Sequence, residues 1–186
     1  FPDTVLAVMS YNIGIQNKEV HSGRNWTQKY NRLRDDVEAA FTNKAGIQVL
    51  LISEFGNMFD DIDGVLSSGV TQPTRRKVKC TRELFEDLLA SIKLPHIRVV
   101  ADPPYVALID SECWVVEHHE VLQNLCTKHD IKVQHLILEH ANTSETFRCF
   151  NAHMPSSYAT QKRKEDCVKR MCYIATDSAV GQRTAC

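Results

Sequence analysis

Residues Ile47-Gln48-Val49-Leu50-Leu51-Ile52, entered through Gly46, form a nearly unbroken apolar run. A run of this length fits a central strand covered on both faces. Upstream, Tyr30, Leu33, Val37, Ala40 and Phe41 follow i, i+3, i+7, i+10, i+11 spacing, the pattern of a helix with one buried stripe, and Thr27 is placed to cap it. Before that, Val5 to Met9 is a short apolar run leading into Asn12 and reads as a buried strand. Strand, helix and strand in this order favour an α/β architecture, in which a short right-handed crossover makes the two strands neighbours.

The remaining chain continues the mixture. Residues 55–79 carry Gly56, Gly64, Gly69 and Pro73, an acidic stretch (Asp60, Asp61, Asp63) and a basic one (Arg75, Arg76, Lys77, Lys79), and read as a long loop. Thr81 caps a helix whose stripe is Leu84, Phe85, Leu88, Leu89 and Ile92. Tyr105 to Ile109, Cys113 to Val116, Val133 to Glu139 and Phe147 to Ala152 are strand candidates, the last two joined by Ala141-Asn142-Thr143-Ser144 as a hairpin turn. A final helix is expected from Thr160 towards Thr176, burying Cys167, Val168, Met171, Cys172 and Ala175. There is no internal repeat, and the whole of 1–186 is read as one partial domain with no boundary inside it.

Composition excludes little. A chain of 186 residues, 43% hydrophobic and 24% charged, is ordinary for a globular protein, and a net charge of -1 gives no global attraction to nucleic acid, so phosphate recognition must be local. Seven cysteines, odd in number and mostly inside apolar runs, read as small core hydrophobes rather than a disulfide framework. Asn25-Trp26-Thr27 and Asn142-Thr143-Ser144 match the glycosylation sequon. Such triplets also arise by chance, so the balance stays on the intracellular side. No signal peptide and no apolar run long enough to span a bilayer occurs. A start at Phe1 and a stop at Cys186 raise the expectation of a fragment.

Three side chains capable of phosphate chemistry stand at the ends of apolar runs. Asn12, in Ser10-Tyr11-Asn12-Ile13-Gly14, offers an amide oxygen as a neutral ligand or an amide donor that orients a carboxylate. Glu54, in Leu51-Ile52-Ser53-Glu54-Phe55-Gly56, can bind Mg²⁺, which takes one or two carboxylates and fills its shell with water and substrate phosphate oxygens. His153 sits where the last strand runs out into Met154-Pro155, on the same side as Asn151 by the period of two. Its near-neutral pKa suits proton donation to a leaving oxygen. Asn151, Arg75, Arg76 and Lys77 are further candidate phosphate contacts.

Taken in order, these three segments resemble the endonuclease/exonuclease/phosphatase superfamily, the metal-dependent phosphoesterases that include DNase I and the abasic-site endonucleases. The resemblance implies the first half of a DNase I-like α/β-sandwich, with Glu54 as metal ligand, Asn12 as an active-site amide and His153 as a phosphate-contacting group. It also implies Mg²⁺, or Mn²⁺, as cofactor, and nucleic acid or another phosphodiester as substrate. Phosphoinositide phosphatases, sphingomyelin phosphodiesterases and retroelement endonucleases share this half. The family's Gly-Asp-x-Asn segment and terminal Asp-His pair do not occur in the sequence, so the catalytic site is expected to be incomplete in this chain. The alternative is a non-catalytic interaction module or degenerate member on the same scaffold.

Competing patterns are weaker. Cys126, His129, His135 and His140, with His118-His119, have a zinc-like look, yet residues 135 and 140 on one strand face opposite sides. Asp61, Asp63 and Gly64 lack the alternating ligands and terminal Glu of a calcium loop. Cys167 and Cys172, on a helix, read as core rather than nucleophile.

Overall fold

A computed structural model describes residues 6–12, 23–42, 46–53, 81–102, 104–122, 132–152 and 161–176. The elements are β1 (Val8–Asn12), α1 (Gly23–Thr42), β2 (Val49–Ser53), α2 (Thr81–Ser91), β3 (Ile97–Asp102), β4 (Tyr105–Asp110), β5 (Trp114–Leu122), β6 (Val133–His140), β7 (Thr146–Ala152) and α3 (Gln161–Thr176). They form a four-stranded sheet in the order β1-β2-β4-β3 and a three-stranded sheet in the order β5-β6-β7. The chain divides into two compact units, Phe1–Val115 with Glu139–Glu145, and Val116–Leu138 with Thr146–Cys186.

The apolar run after Gly46 becomes β2, every residue of which is buried. It lies parallel to β1 and antiparallel to β4. Gly46 adopts a φ of +60°, a left-handed conformation that glycine reaches without the steric cost of a Cβ. Gln48, the one polar residue of the run, is not a flaw in it. Its side-chain oxygen accepts hydrogen bonds from the Ala7 N–H (3.3 Å) and from Trp114 Nε1 (3.1 Å), so it ties the entry to β1 to the start of β5.

One core forms where both helices of the first unit meet the sheet. Leu33, Val37 and Ala40 of α1 and Leu84, Phe85, Leu88 and Leu89 of α2 cluster with Leu50 and Ile52 of β2, Val99 of β3 and Val106 and Leu108 of β4. From Leu33 onwards the helical stripes are the ones the spacing predicts, with Phe41 and Ile92 partly buried against the same cluster; the Tyr30 side chain lies outside what is described. Alternation then puts Val49, Leu51 and Ser53 on the other face of β2. These too are buried.

Four expectations need correction. β1 is not a buried strand: Val8, Ser10 and Asn12 are exposed and only Met9 and Tyr11 pack towards the core, because β1 is an edge of its sheet. α1 begins at Gly23, so Thr27 is inside the helix rather than its cap. β3 is absent from the strands expected. It follows α2 after only five residues, where Leu94 N–H bonds to the Leu89 carbonyl (3.0 Å) and Lys93 N–H to that of Ala90 (3.2 Å). Those bonds, with Lys93 at φ 59°, make a Schellman stop that turns the chain directly into the sheet. Finally, α3 buries Cys167 but leaves Val168, Cys172 and Ala175 exposed and Met171 half-buried.

The cysteines divide accordingly. Cys167 is disulfide-bonded, whereas Cys113, Cys149 and Cys172 are free. Burial pushes the Cys149 thiol up to about 11. Burial and then the neighbouring Asp110 carboxylate raise that of Cys113. Neither is a ready thiolate nucleophile near neutral pH.

The long loop of residues 55–79, with its acidic and basic stretches, lies outside the described residues. Among the described residues no helix is long and apolar enough to cross a membrane.

Candidate active site

β1 and β2 carry the first part of the candidate site. Their parallel register pairs Ser10 with Leu51, Tyr11 with Ile52 and Asn12 with Ser53. Register partners on adjacent strands point to the same face, so Asn12 and Ser53 share the face opposite the helix-covered core. Asn12 is exposed and Ser53 is buried. Glu54 follows Ser53 by one peptide bond and itself lies outside the described residues.

Tyr11 anchors this strand end from the other face. Burial first, then the neighbouring Asp36 carboxylate of α1, raise the pKa of its hydroxyl. Asp36 also lies 3.7 Å from the Arg32 guanidinium. The edge strand is thus packed against the core that α1 helps to form at the residue next to Asn12. Sequence reasoning missed Tyr11 and Asp36 because a tyrosine in a strand and an aspartate on a helix carry no pattern by themselves. Only the fold makes them partners.

In the second unit, Asn151 is 3% exposed and donates from Nδ2 to Gln134 Oε1 of β6 at 3.2 Å, with Gln134 fully buried. A buried side-chain amide needs such a partner, since leaving it unpaired costs about 1–3 kcal/mol. This bond fixes the end of β7. Asn151 is thereby a buried, hydrogen-bonded residue of the strand that leads to position 153. Gln134 is a further residue the sequence did not single out. Its only signal there was a polar side chain in an apolar run. His153 and the basic residues Arg75, Arg76 and Lys77 lie outside the described residues. Asn12 and Asn151 belong to different compact units.

The histidines of the zinc-like pattern have separate surroundings. His140 packs edge-on to Trp114, with ring centroids 4.9 Å apart, and its Nδ1 lies 3.0 Å from the Thr143 hydroxyl. His135 is fully buried, stacks on Phe150 at 4.7 Å and bonds through Nδ1 to Glu120 Oε1 at 3.1 Å. Its Nε2 is buried with no hydrogen-bond partner among the described residues. Among the described residues no group of three or more His, Cys, Asp or Glu side chains is arranged to hold a metal ion.

Burial lowers the pKa of His135 from its ordinary 6.5, opposed by Glu120 and reinforced by Arg148 and His118. A histidine whose folded pKa is depressed binds its proton more readily when unfolded. Its contribution to stability is therefore fully present above pH 6.5 and is lost as the pH falls from there towards the folded value. Urea midpoints measured at about pH 7.5 and about pH 5 should fall on acidification in the wild type, and fall less in His135→Leu. Equal falls in the two proteins would show that other groups carry the acid sensitivity.

No family model matches the sequence, and no curated protein matches it by sequence. Solved structures do. The chain is similar to an endonuclease/exonuclease/phosphatase family protein from Bacteroides thetaiotaomicron at TM-score 0.57 and 12% identity, over 91% of this chain and 57% of that one. It is similar to ANGEL2, a 2',3'-cyclic phosphatase, at TM-score 0.51 and 12% identity, over 82% of this chain and 41% of that one. ANGEL2 in complex with adenosine-2',3'-vanadate gives TM-score 0.51 and 14% identity, over 82% and 42%. The chain thus spans roughly half the length of these structures or less, and over that length it has the α/β, DNase I-like fold of the endonuclease/exonuclease/phosphatase proteins.

Proposed function

We propose that this chain contributes the Asn12, Glu54 and His153 part of the active site of a Mg²⁺-dependent phosphoesterase, Mn²⁺ substituting, that hydrolyses a phosphodiester in nucleic acid. The observation that carries the reading is the register of β1 on β2. Asn12 is the partner of Ser53, which sets an exposed amide beside the residue preceding the one carboxylate expected to bind metal. The fold of the similar structures supports the same reading, one of them being a 2',3'-cyclic phosphatase.

The donor chemistry fits a hard cation. Glu54 would supply an anionic oxygen and Asn12 an amide group that binds or orients the phosphate or a metal-bound oxygen. The metal would supply charge neutralisation at the phosphoryl oxygens. His153 would donate a proton or hydrogen bond to the departing oxygen. Arg75, Arg76 and Lys77, with Asn151, are proposed as auxiliary phosphate contacts. For Asn151 the bond to Gln134 makes the contribution one of holding the strand end in place.

One carboxylate and one amide leave most of the Mg²⁺ octahedron to water. Calorimetry on residues 1–186 should therefore register little heat with Mg²⁺, in the wild type and in Glu54→Ala alike. Tight binding that depends on Glu54 would mean that this chain completes the metal site unaided. The function itself is tested on the full-length gene product, assayed on plasmid DNA and on bis(p-nitrophenyl) phosphate with Mg²⁺ and with Mn²⁺. Activity that depends on metal and drops at least about a hundredfold in Glu54→Gln supports the proposal. A soluble, folded product cleaving neither substrate would favour an interaction module on this scaffold.

A further inference from the structure

We propose that Asn142, at the tip of the β6–β7 hairpin, is a site of N-linked glycosylation. The inference is independent of the phosphoesterase reading. It rests on three observations that the sequence alone could not join.

The first is geometry at the sequon. Asn142, Thr143 and Ser144 are all exposed and lie between the strands, outside the sheet ladder. The turn is closed beneath them by His140 N–H to the Glu145 carbonyl (2.8 Å) and Ser144 N–H to the His140 carbonyl (3.0 Å). The hydroxyl of Thr143, the middle residue, is taken up by His140 Nδ1 at 3.0 Å and Glu145 Oε2 at 3.4 Å. The Asn142 amide makes no hydrogen bond among the described residues. Ser144, which supplies the hydroxyl that the acceptor sequence requires, is exposed and sits at φ 56°.

The second is the contrast with the other sequon. Asn25-Trp26-Thr27 falls within α1, where the backbone holds helical dihedrals rather than the turned or extended form that an enzyme's cleft engages. The third is the disulfide at Cys167. Disulfides persist in oxidising compartments, among them the lumen in which glycans are attached.

The modification needs a lipid-diphosphate-linked oligosaccharide as co-reactant. The Asn142 Nδ2 forms a bond to C1 of the first sugar, the C1–O bond to the diphosphate breaks, the amide loses one proton, and the lipid diphosphate leaves with the electron pair.

The test is the full chain expressed behind a secretory leader in cultured eukaryotic cells, recovered from the medium and digested with peptide N-glycosidase in ¹⁸O-water. A single mobility step should collapse on digestion, with conversion of the amide and ¹⁸O uptake at position 142. The step should vanish in Asn142→Gln and in Ser144→Ala, rise in occupancy in Ser144→Thr and persist in Asn25→Gln. The wild-type mass measurement keeps the test decisive should a variant fail to be secreted. Secreted protein with Cys167 in its disulfide and Asn142 unmodified would overturn the proposal, as would a step lost in Asn25→Gln and kept in Asn142→Gln.

Discussion

His153→Ala should lower kcat for phosphodiester hydrolysis by the full-length gene product by about 10²–10⁴-fold, the range typical of a lost general acid. An alkoxide leaving group is poor unless it is protonated as the P–O bond breaks. A histidine, whose unperturbed pKa is near neutral, is suited to that task. The pH profile of kcat should lose its alkaline limb in the variant, while KM moves little because ground-state binding is mostly retained. The strand end is held by the buried Asn151–Gln134 bond, so the substitution should leave the far-ultraviolet circular dichroism unchanged. A kcat within a few fold of wild type would remove His153 from the mechanism and leave the fold assignment standing.

Trp114→Ala should destabilise the protein by about 3–5 kcal/mol, as large-to-small changes of fully buried aromatics do. Trp114 is 1% exposed and is, among the described residues, the largest side chain with so little surface. It packs edge-on to His140 and donates to Gln48. The variant loses apolar burial, leaves a cavity and removes one of the two donors to the Gln48 oxygen. Trp114→Phe separates these contributions. It keeps much of the packing and loses the indole N–H, while Gln48 still accepts from Ala7, so a cost nearer about 1 kcal/mol is expected. Urea unfolding of both variants reads the difference, and equal losses would mean that the hydrogen bond rather than the packing carries the stability.

Local pattern was a reliable guide wherever burial is decided within one element. The stripe of α2 and the apolar run of β2 bury the residues their patterns mark, because a side chain that recurs on one face must meet whatever covers that face. The β6–β7 turn was legible too, since polar residues between two apolar runs have few other conformations open to them. α3 shows where this fails. Its apolar positions Val168 and Cys172 have helical spacing yet are exposed, because spacing says which residues share a face and nothing about whether a neighbour covers it.

The sequence by itself determined the class of fold. It placed Asn12 at the end of β1, and it named Glu54 and His153 as residues that follow strands. Tertiary structure alone decided the rest. β1 is an edge rather than a buried strand because sheet order is set by pairing between distant segments. β3 escaped notice because one helical stop, made by two backbone hydrogen bonds, converts a short connection into a strand entry. The pairing of Asn12 with Ser53, the closeness of Tyr11 to the Asp36 carboxylate and the burial of Asn151 against Gln134 each join residues many positions apart. Partners of this kind depend on three-dimensional proximity, which one-dimensional periodicity does not encode.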